Sequence, residues 1–493
     1  MKKLQGRFFC WDDKLIESEN DLQIIMHKPE KKDIAVLCDE EWEGECNGYS
    51  TILKTPDGYK FYYRATVFKN NADGSGQRVP YTSVFCVADS LDGKTFTKPN
   101  LGLFEYNGTK ENNIVWADYN RKSPLDSFSI MYDENPDCPA DEKYKAFTEC
   151  WVKMPHGHSE PRLMYMSSAD GYHFVEKYPI VDVAGTMDSY NPVFWDKATE
   201  QYFLYHRAFH DPDGTDHLTW AGVDDKISIR DVRLATSKDF VHWTVHGRIT
   251  FEEGQEDYPL YTSQITKYYR SENMFIGMPT RYCDRVDEPQ SFLHMPLSDY
   301  RAKITEHYGR EGTALTDCII MTSENGKVFD RRDEAFFTPG PENSTNWWYG
   351  NCYPGYGFIE TKADERGAAN EISMYMGENY RIKKVNFRRY TLRLDGFFSW
   401  FAKYRGSEVL TKEFEVAADT LFLNFATSAR GAITVSVCDL DGNEIEGYKS
   451  YVIFGDSVKR EVEFEKPLSE LHGKAVRLKF FMSDAHIYSF EVI

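Results

Sequence analysis

Four times along the chain, a run of alternating apolar and polar residues ends in the same kind of turn. SLDGKTFTKP begins at Ser90, SADGYHFVEK at Ser168, SKDFVHWTVH at Ser237 and SENGKVFDRR at Ser323, at intervals of 78, 69 and 86 residues. The runs before them (YTSVFCVADS, RLMYMSSAD, DVRLATSKD and DCIIMTSEN) alternate as a half-buried strand does. Asp92-Gly93, Asp170-Gly171 and Asn325-Gly326 supply the positive-φ residue that a tight hairpin needs, and the fourth turn carries Asp239-Phe240. Each Ser brings a hydroxyl able to hydrogen-bond across the turn. An aromatic follows every time: Phe96, Phe174, Trp243 and Phe329.

Two more strands precede each echo. They are GYSTIL and YKFYYRATVF in the first unit, DSFSIMYD and KYKAFTECWV in the second. The third has DSYNPVFWD and QYFLYHRAF, and the fourth YPLYTSQITKYY and NMFIGMPTRY. Four strands recurring at this spacing, with helical periodicity nearly absent, predict an all-β chain folded as a β-propeller, whose blades are four-stranded antiparallel sheets. NCYPGYGFIE, EISMYMGENY and NFRRYTLRLDGFFSWFA supply a fifth unit without the echo, and the segment around Gly6–Asp12 is expected to close the ring. An open stack of such sheets would leave edges prone to aggregation. The propeller is therefore assigned five blades over residues 1–405. Past Gly406 the chain turns to short alternating strands, TLFLNFATSA and AITVSVCDLDGNEI among them, which predict a β-sandwich over residues 406–493. No exposed aromatic cluster stands out in its sequence, so the sandwich is expected to be a structural prop or a homo-oligomer contact rather than a sugar-binding module.

Composition excludes several classes. A net charge of −20 with acids and bases interspersed argues against nucleic acid as a partner. No apolar stretch reaches the length of a membrane span, so no membrane partner is expected. The ten cysteines are scattered without a C-x-x-C pair, as free thiols in a reducing compartment would be, and a cytoplasmic location is expected. The aromatic share of 15% suits β-structure and flat ligands such as sugar rings.

In a propeller the start of each first strand and the end of each second strand meet at one mouth of the central channel, and the echo turns lie at the other. The mouth is therefore expected to gather Glu43, Glu45, Asp126, Asp188 and Asp257 from strand-one starts. Arg64, Glu149, Arg207, Arg281 and Glu378 would come from strand-two ends, and Trp347, Trp348 and Asn351 from the fifth unit. Converging carboxylates are what glycosidic cleavage requires, one protonated to donate to the leaving oxygen and one ionised to act as base or nucleophile. The same acids could instead pair with the arginines and tie blades together. Asp133 and Asp196, at the far strand ends, read as turn formers.

The order WEG…YS…DGYKFYYRA, DENP…EKYKA, DSYNPVFWD…YFLYHRA and DEAFFTPG…RRYTLRLDGFFS resembles a bacterial group related to glycoside hydrolase family 32 and, more widely, families 32 and 43. The resemblance implies a five-bladed propeller with a β-sandwich, and a retaining glycosidase with one acid from each of the first three blades. Carried over by position, Glu43 or Glu45 would be the nucleophile, Asp126 the transition-state stabiliser and Asp188 the acid/base. Family 32 opens with W-M-N-D-P-N-G where this chain has WEGECNG, and its R-D-P and E-C motifs are missing. The wider group centres on W-E-G, which ranks Glu43 ahead of Glu45, and β-fructosidase character rests on the resemblance alone.

The expected activity is hydrolysis of a glycoside or short oligosaccharide, with Asp188 as acid and Glu43 as base or nucleophile. Arg64, Arg207, Arg281 and Glu149 would orient hydroxyls or an anionic group, Trp347 and Trp348 would stack on a ring, and Asn351 would bind substrate. The alternatives are a phosphate-dependent glycoside phosphorylase using the three arginines and a non-catalytic carbohydrate-binding propeller. A sialidase fits less well, since its hairpin motif carries one more residue between Asp and Gly. His156 with His158, and His206 with His210 and His217, are close in sequence, but thirteen histidines make chance neighbours common. No metal and no cofactor is expected, and the partner is a small carbohydrate.

Overall fold

A computed structural model describes residues 1–119, 126–224 and 226–493, apart from the side chains of residues 69, 70 and 77–82. Its contacts divide the chain into two units. One holds Lys31–Thr361 with Ser373–Thr391, and the other Met1–Glu30, Lys362–Ile372 and Leu392–Ile493.

The larger unit is the five-bladed propeller. Blade one pairs Gly48–Thr55, Gly58–Asn70, Gly76–Ser90 and Ile114–Trp116 in sequence order. Blade two pairs Phe128–Tyr132, Tyr144–Lys153, Ser159–Ser168 and Val175–Ile180. Val193–Asp196, Gln201–His210, Ile229–Ser237 and Thr244–Arg248 form blade three. Blade four is built on Thr266–Lys267, Phe275–Gly277, Met321–Ser323 and Val328–Arg331. Blade five pairs Ile359–Thr361, Glu371–Glu378 and Asn386–Arg393, and its outer strand is Glu30–Leu37. The ring is thus closed by a strand that follows the expected segment: Gly6–Phe9 instead pairs with Ala475–Val492 in the other unit. GRFF has too few polar alternations to be told from any other short strand, which is why its partner was not legible.

Apolar side chains fill the gaps between blades. Leu53, Tyr62 and Phe85 of blade one meet Phe128, Ile130 and Phe174 of blade two, and Phe147 and Leu163 of blade two meet Leu204, Phe240 and Trp243 of blade three. Aromatics that follow the echo turns thus pack toward the preceding blade.

The echo turns are built alike atom for atom. Ser90 Oγ donates to Asp92 Oδ1 (3.0 Å) and accepts from Gly93 N (2.9 Å), while Asp92 Oδ1 accepts from Lys94 N (2.8 Å) and Thr95 N (2.9 Å). Ser168, Ser237 and Ser323 repeat the Oγ bond from the residue three on, at 3.0, 2.9 and 2.9 Å. That residue has φ of 70° at Gly93, 79° at Gly171, 66° at Phe240 and 70° at Gly326. Its carbonyl then receives a tyrosine from the blade before. Tyr62 Oη donates to Gly171 O (2.9 Å), Tyr205 Oη to Gly326 O (2.8 Å) and Tyr375 Oη to Gly93 O. A Cβ at Gly171 would lie 2.5 Å from Tyr62 Oη, so glycine serves both the turn and the approach. Between blades two and three the pair is replaced by two rings, Phe147 stacked on Phe240 at 5.1 Å. In blade one the turn does not lead directly into the last strand. Asp89 bridges Thr97, and the outer strand begins only at Ile114.

Among the described residues, blade four carries all the α-helices of the propeller. Its middle strands continue as the ribbon Thr280–Asp284 with Ala314–Cys318, and between these lie the helices Pro289–Phe292, Ser298–Tyr308 and Arg310–Thr313. The helix SDYRAKITEHY buries only Arg301 and Ile304, so it writes no apolar stripe into the sequence. No described helix is long and apolar enough to cross a membrane.

The smaller unit is also β. Leu421–Cys438 and Ala475–Val492, eighteen residues each, pair along most of their length. Lys2–Leu4, Gly6–Phe9, Ile16–Glu19 and Leu22–Met26 join its sheets beside Phe414–Val416, Ala475–Val492, Ser407–Thr411 and Phe398–Ala402. Its core alternates along the strands, as in Ile433, Val435 and Val437 or Val476, Leu478, Phe480 and Met482, all fully buried. The expected division at 405/406 therefore differs from the contacts, which add Met1–Glu30, Lys362–Ile372 and Leu392–Arg405 to this unit.

Candidate active site

All five blades line one cavity of about 290 Å³. That is near the lower end of small-molecule sites, which start at roughly 300 Å³. Gly48–Ser50 and Arg64 come from blade one, Asp126 from blade two, Asp188 from blade three, Tyr261, Tyr308, Arg310 and Glu311 from blade four, and Tyr349, Tyr353 and Tyr380 from blade five. Some first-strand starts and second-strand ends meet there: Gly48, Asp126 and Asp188 from the former, and Arg64 and Tyr380 from the latter.

The segments before the first strands are strapped to the second strands. In blade three, Thr186 N donates to Arg207 O (3.0 Å), Asn191 Oδ1 accepts from Arg207 N (3.2 Å), and a Cβ at Gly185 would lie 2.4 Å from Arg207 O. This fold-back sets Asp188 against Arg207, which forms an ion pair with it and also donates to Thr186 Oγ1 (3.2 Å). Blade one uses the same device: Asn47 Oδ1 accepts from Thr66 N (2.8 Å) and Gly44 lies against Thr66 O. Arg64 is thereby placed to donate to Asp126 Oδ1 (3.3 Å), Asp126 O (3.1 Å) and Cys46 O (3.1 Å).

Asp126 and Asp188 keep 25% and 29% of their side chains open to the cavity. Burial raises the Asp188 carboxyl above the ordinary carboxylate range. The Arg207 guanidinium pulls it back and the charge of Asp126 raises it further. A third carboxylate, Glu311, is paired with Arg381. The remaining wall is tyrosine. Tyr349 Oη donates to Tyr261 Oη (2.7 Å), and the Tyr261 ring lies 5.4 Å from Tyr353 and 5.7 Å from the Arg207 guanidinium carbon. Burial pushes the Tyr49, Tyr349 and Tyr353 phenols up, so they remain neutral hydroxyls.

Of the other residues singled out from the sequence, most lie off the cavity. Glu43 is enclosed, with no side-chain surface exposed. It accepts from Lys98 Nζ (2.6 Å), Glu40 N (3.0 Å) and Tyr63 Oη. Trp42 packs beside it, so W-E-G builds the blade interior rather than the mouth. Glu45 Oε2 accepts from Phe68 N at 3.4 Å, and Glu149 is buried in its strand opposite Leu163. Arg281 is held by Asp317 (2.9 and 2.6 Å) and Asp333 O (2.7 Å) on the blade-four ribbon. Trp348 is buried under the Arg301 guanidinium at 3.9 Å, Trp347 Nε1 donates to Gly340 O (2.8 Å), and Asn351 Oδ1 accepts from Trp348 N (2.6 Å). The fifth unit does reach the cavity, through the neighbours Tyr349, Gly350 and Tyr353. Glu378 pairs with Lys31 and Arg388. Asp257 accepts from His210 Nε2 (2.8 Å), whose Nδ1 meets Asp231 (2.9 Å). Burial opposes the charged ring, but these two bonds lift it to about 9. Among the described residues no group of three or more His, Cys, Asp or Glu is arranged to hold a metal.

No protein-family model matches the chain, and no curated protein matches its sequence. Similar folds occur among solved structures. One comes from the GH130 family of mannoside phosphorylases, which contains glycoside hydrolases that target β-1,2 mannosidic linkages in Candida mannan (12% identity, TM-score 0.41, 74% of this chain and 94% of that one). Another is an exo-β-1,3-galactanase from Phanerochaete chrysosporium with β-1,3-galactotriose (9% identity, TM-score 0.38, 96% and 100%). A third is sucrose-6-phosphate hydrolase from Lactobacillus gasseri (8% identity, TM-score 0.37, 93% of each chain). Likeness at this level gives no residue here a role, and it does not make the chain a member of family 32.

Proposed function

We propose that the protein is a carbohydrate-active enzyme that cleaves a glycosidic bond by hydrolysis, with Asp188 as general acid. The observation that carries this reading is the pair Asp126 and Asp188. They are carboxylates from adjacent blades, open to one cavity, one of them raised by burial and by the other's charge. An acid whose pKa is lifted holds its proton to higher pH than a free carboxyl and can donate it to the leaving oxygen, and an ionised partner can take a proton from water or attack the anomeric carbon. Asp126 takes that second role, because Glu43 is closed off behind Lys98 and Tyr63. Tyrosine faces and hydroxyls around the cavity suit a sugar ring, which is apolar on its faces and polar at its rim.

The test is turnover on aryl glycosides and natural oligosaccharides, with and without phosphate, by wild type and Asp188→Asn. Phosphate-independent release of one sugar, falling by about 10³-fold or more in the variant, is the expected result. Activity should decline as pH rises through the raised pKa of Asp188, since the acid must be protonated. Turnover only with phosphate replaces hydrolysis by phosphorolysis. A variant as active as wild type removes Asp188 from the chemistry.

A further inference from the structure

The arginines of the cavity differ in what they already hold. Arg64 is bonded to Asp126 and Cys46, and Arg381 is paired with Glu311. Arg207, just behind the wall, is paired with Asp188. Among the described residues Arg310 pairs with no carboxylate. Its guanidinium bonds the Tyr282 hydroxyl, its carbon lies 5.7 Å from the Tyr282 ring and 5.8 Å from the Tyr349 ring, and its Nη1 is buried with no hydrogen-bond partner among the described residues. Tyr353 Oη, in the same cavity lining, is buried and faces the Tyr349 hydroxyl. An unsatisfied buried donor costs about 1–3 kcal/mol, and more when charged. A protein bears that cost where something else completes the group.

The placement of Arg310 is built, not incidental. It begins the short helix at the tip of the blade-four ribbon, and Arg301 anchors that tip by donating to Gly312 O (3.1 Å) and Trp347 O (2.6 Å). We propose that Arg310, with the Tyr353 hydroxyl, seats an anionic oxygen group of the ligand: the carboxylate of an acidic sugar, or a phosphate. This deepens the glycosidase reading and rests on it for the meaning of the site. A neutral hydroxyl would satisfy one N–H but leave the charge uncompensated. A carboxylate or phosphate meets both the charge and the guanidinium fork, with two N–H donors in one plane. The flanking phenols are neutral, so they do not neutralise the cation. A relay of two rings, Tyr349 and Tyr261 at 6.1 Å, leads from Arg310 to the guanidinium that holds Asp188. The anion would therefore be seated in the same cavity as the general acid.

The test is titration calorimetry on the full chain with glucuronate, galacturonate and inorganic phosphate at millimolar concentration, against neutral glucose and galactose, for wild type and R310Q. The expected result is that at least one anion binds, that R310Q weakens it by about tenfold or more, and that binding of a neutral sugar is unchanged. Uronate binding identifies an acidic sugar as the source, and phosphate binding a phosphate group. If R310Q does not fold, R310K decides, since it keeps the charge and loses the fork. It should weaken the anion several-fold, and equal binding overturns the seat. No anion bound by wild type, or equal binding by R310Q, also overturns it. The two proposals fail separately: anion binding without turnover sinks the glycosidase, and turnover in the wild type with anion binding equal in R310Q sinks only the seat.

Discussion

At one end of the propeller blades, four turns repeat the same atoms: a Ser hydroxyl, an Asp or Asn side chain, a positive-φ residue, and in three cases a tyrosine from the neighbouring blade on that residue's carbonyl. At the other end, no two blades bring the same set to the cavity. Blade one offers Arg64, blade two Asp126, blade three Asp188, blade four a helical tip with Arg310, and blade five tyrosines. In blade one the two ends are opposite ends of the same strands, since Gly48 faces Arg64 while Tyr59 faces Ser90. A device that must fit every interface is under the same constraint each time and converges on one solution. A binding site is under no such constraint and uses each blade differently. Repetition thus marks the scaffold, and its absence marks the chemistry.

The largest effect that would test this division is at the mouth. Asp126→Asn should lower kcat/KM by about 10²–10³-fold while leaving the melting temperature within a few degrees. Its charge also raises the pKa of Asp188. In the residual activity the basic limb should therefore move to lower pH. A pH–rate profile of kcat/KM measures both. An unmoved limb would mean that the two carboxylates do not share a site.

Glu43 tests the division from the other side. The W-E-G likeness ranked it ahead of Glu45 as the nucleophile, but its carboxylate is closed off in the blade-one interior. Glu43→Ala should cost about 3 kcal/mol of stability, the order expected when one partner of a buried ion pair is removed. Activity per folded molecule should stay within a few-fold. Denaturant melts paired with active-site titration separate the two. A loss of activity near 10³-fold with little change in stability would restore the assignment drawn from the likeness.

Glu43 also shows what the sequence could and could not say. Periodicity reports which residues alternate and where turns fall, so the strands, the blade number and the mouth were legible, as were Asp126, Asp188 and Arg64 as mouth residues. It does not report which way a side chain points before its strand has begun. Glu43 and Asp188 both precede first strands, yet Glu43 turns inward to Lys98 while Asp188 meets Arg207. Arg310 was illegible for another reason: its tip is set by Arg301 and backbone carbonyls, a polar arrangement that leaves no apolar pattern. Tyr349 and Tyr353 were missed in favour of the larger Trp347 and Trp348. Size pointed to stacking, but in the fold Trp348 is buried under Arg301.

The smallest expected effect concerns the one echo turn of the four that lacks the tyrosine. Between blades two and three, Phe147 and Phe240 replace the tyrosine and the positive-φ glycine. If the devices are interchangeable, restoring the common pair should show favourable coupling. Phe240→Gly alone removes the ring under Phe147 and should cost about 3–5 kcal/mol, less about 1 kcal/mol for relieving a left-handed non-glycine residue. Phe147→Tyr alone buries a hydroxyl next to a ring, with the carbonyl of residue 240 already accepting from Trp243 Nε1 at 3.2 Å. A carbonyl has a second lone pair, and in the double variant the hydroxyl can reach it. Chemical denaturation of the four proteins in this cycle should give a double variant more stable than the sum of the single losses by about 1 kcal/mol. Strict additivity would show that the stacked rings are a separate solution, and that the blades were fitted to each interface one at a time.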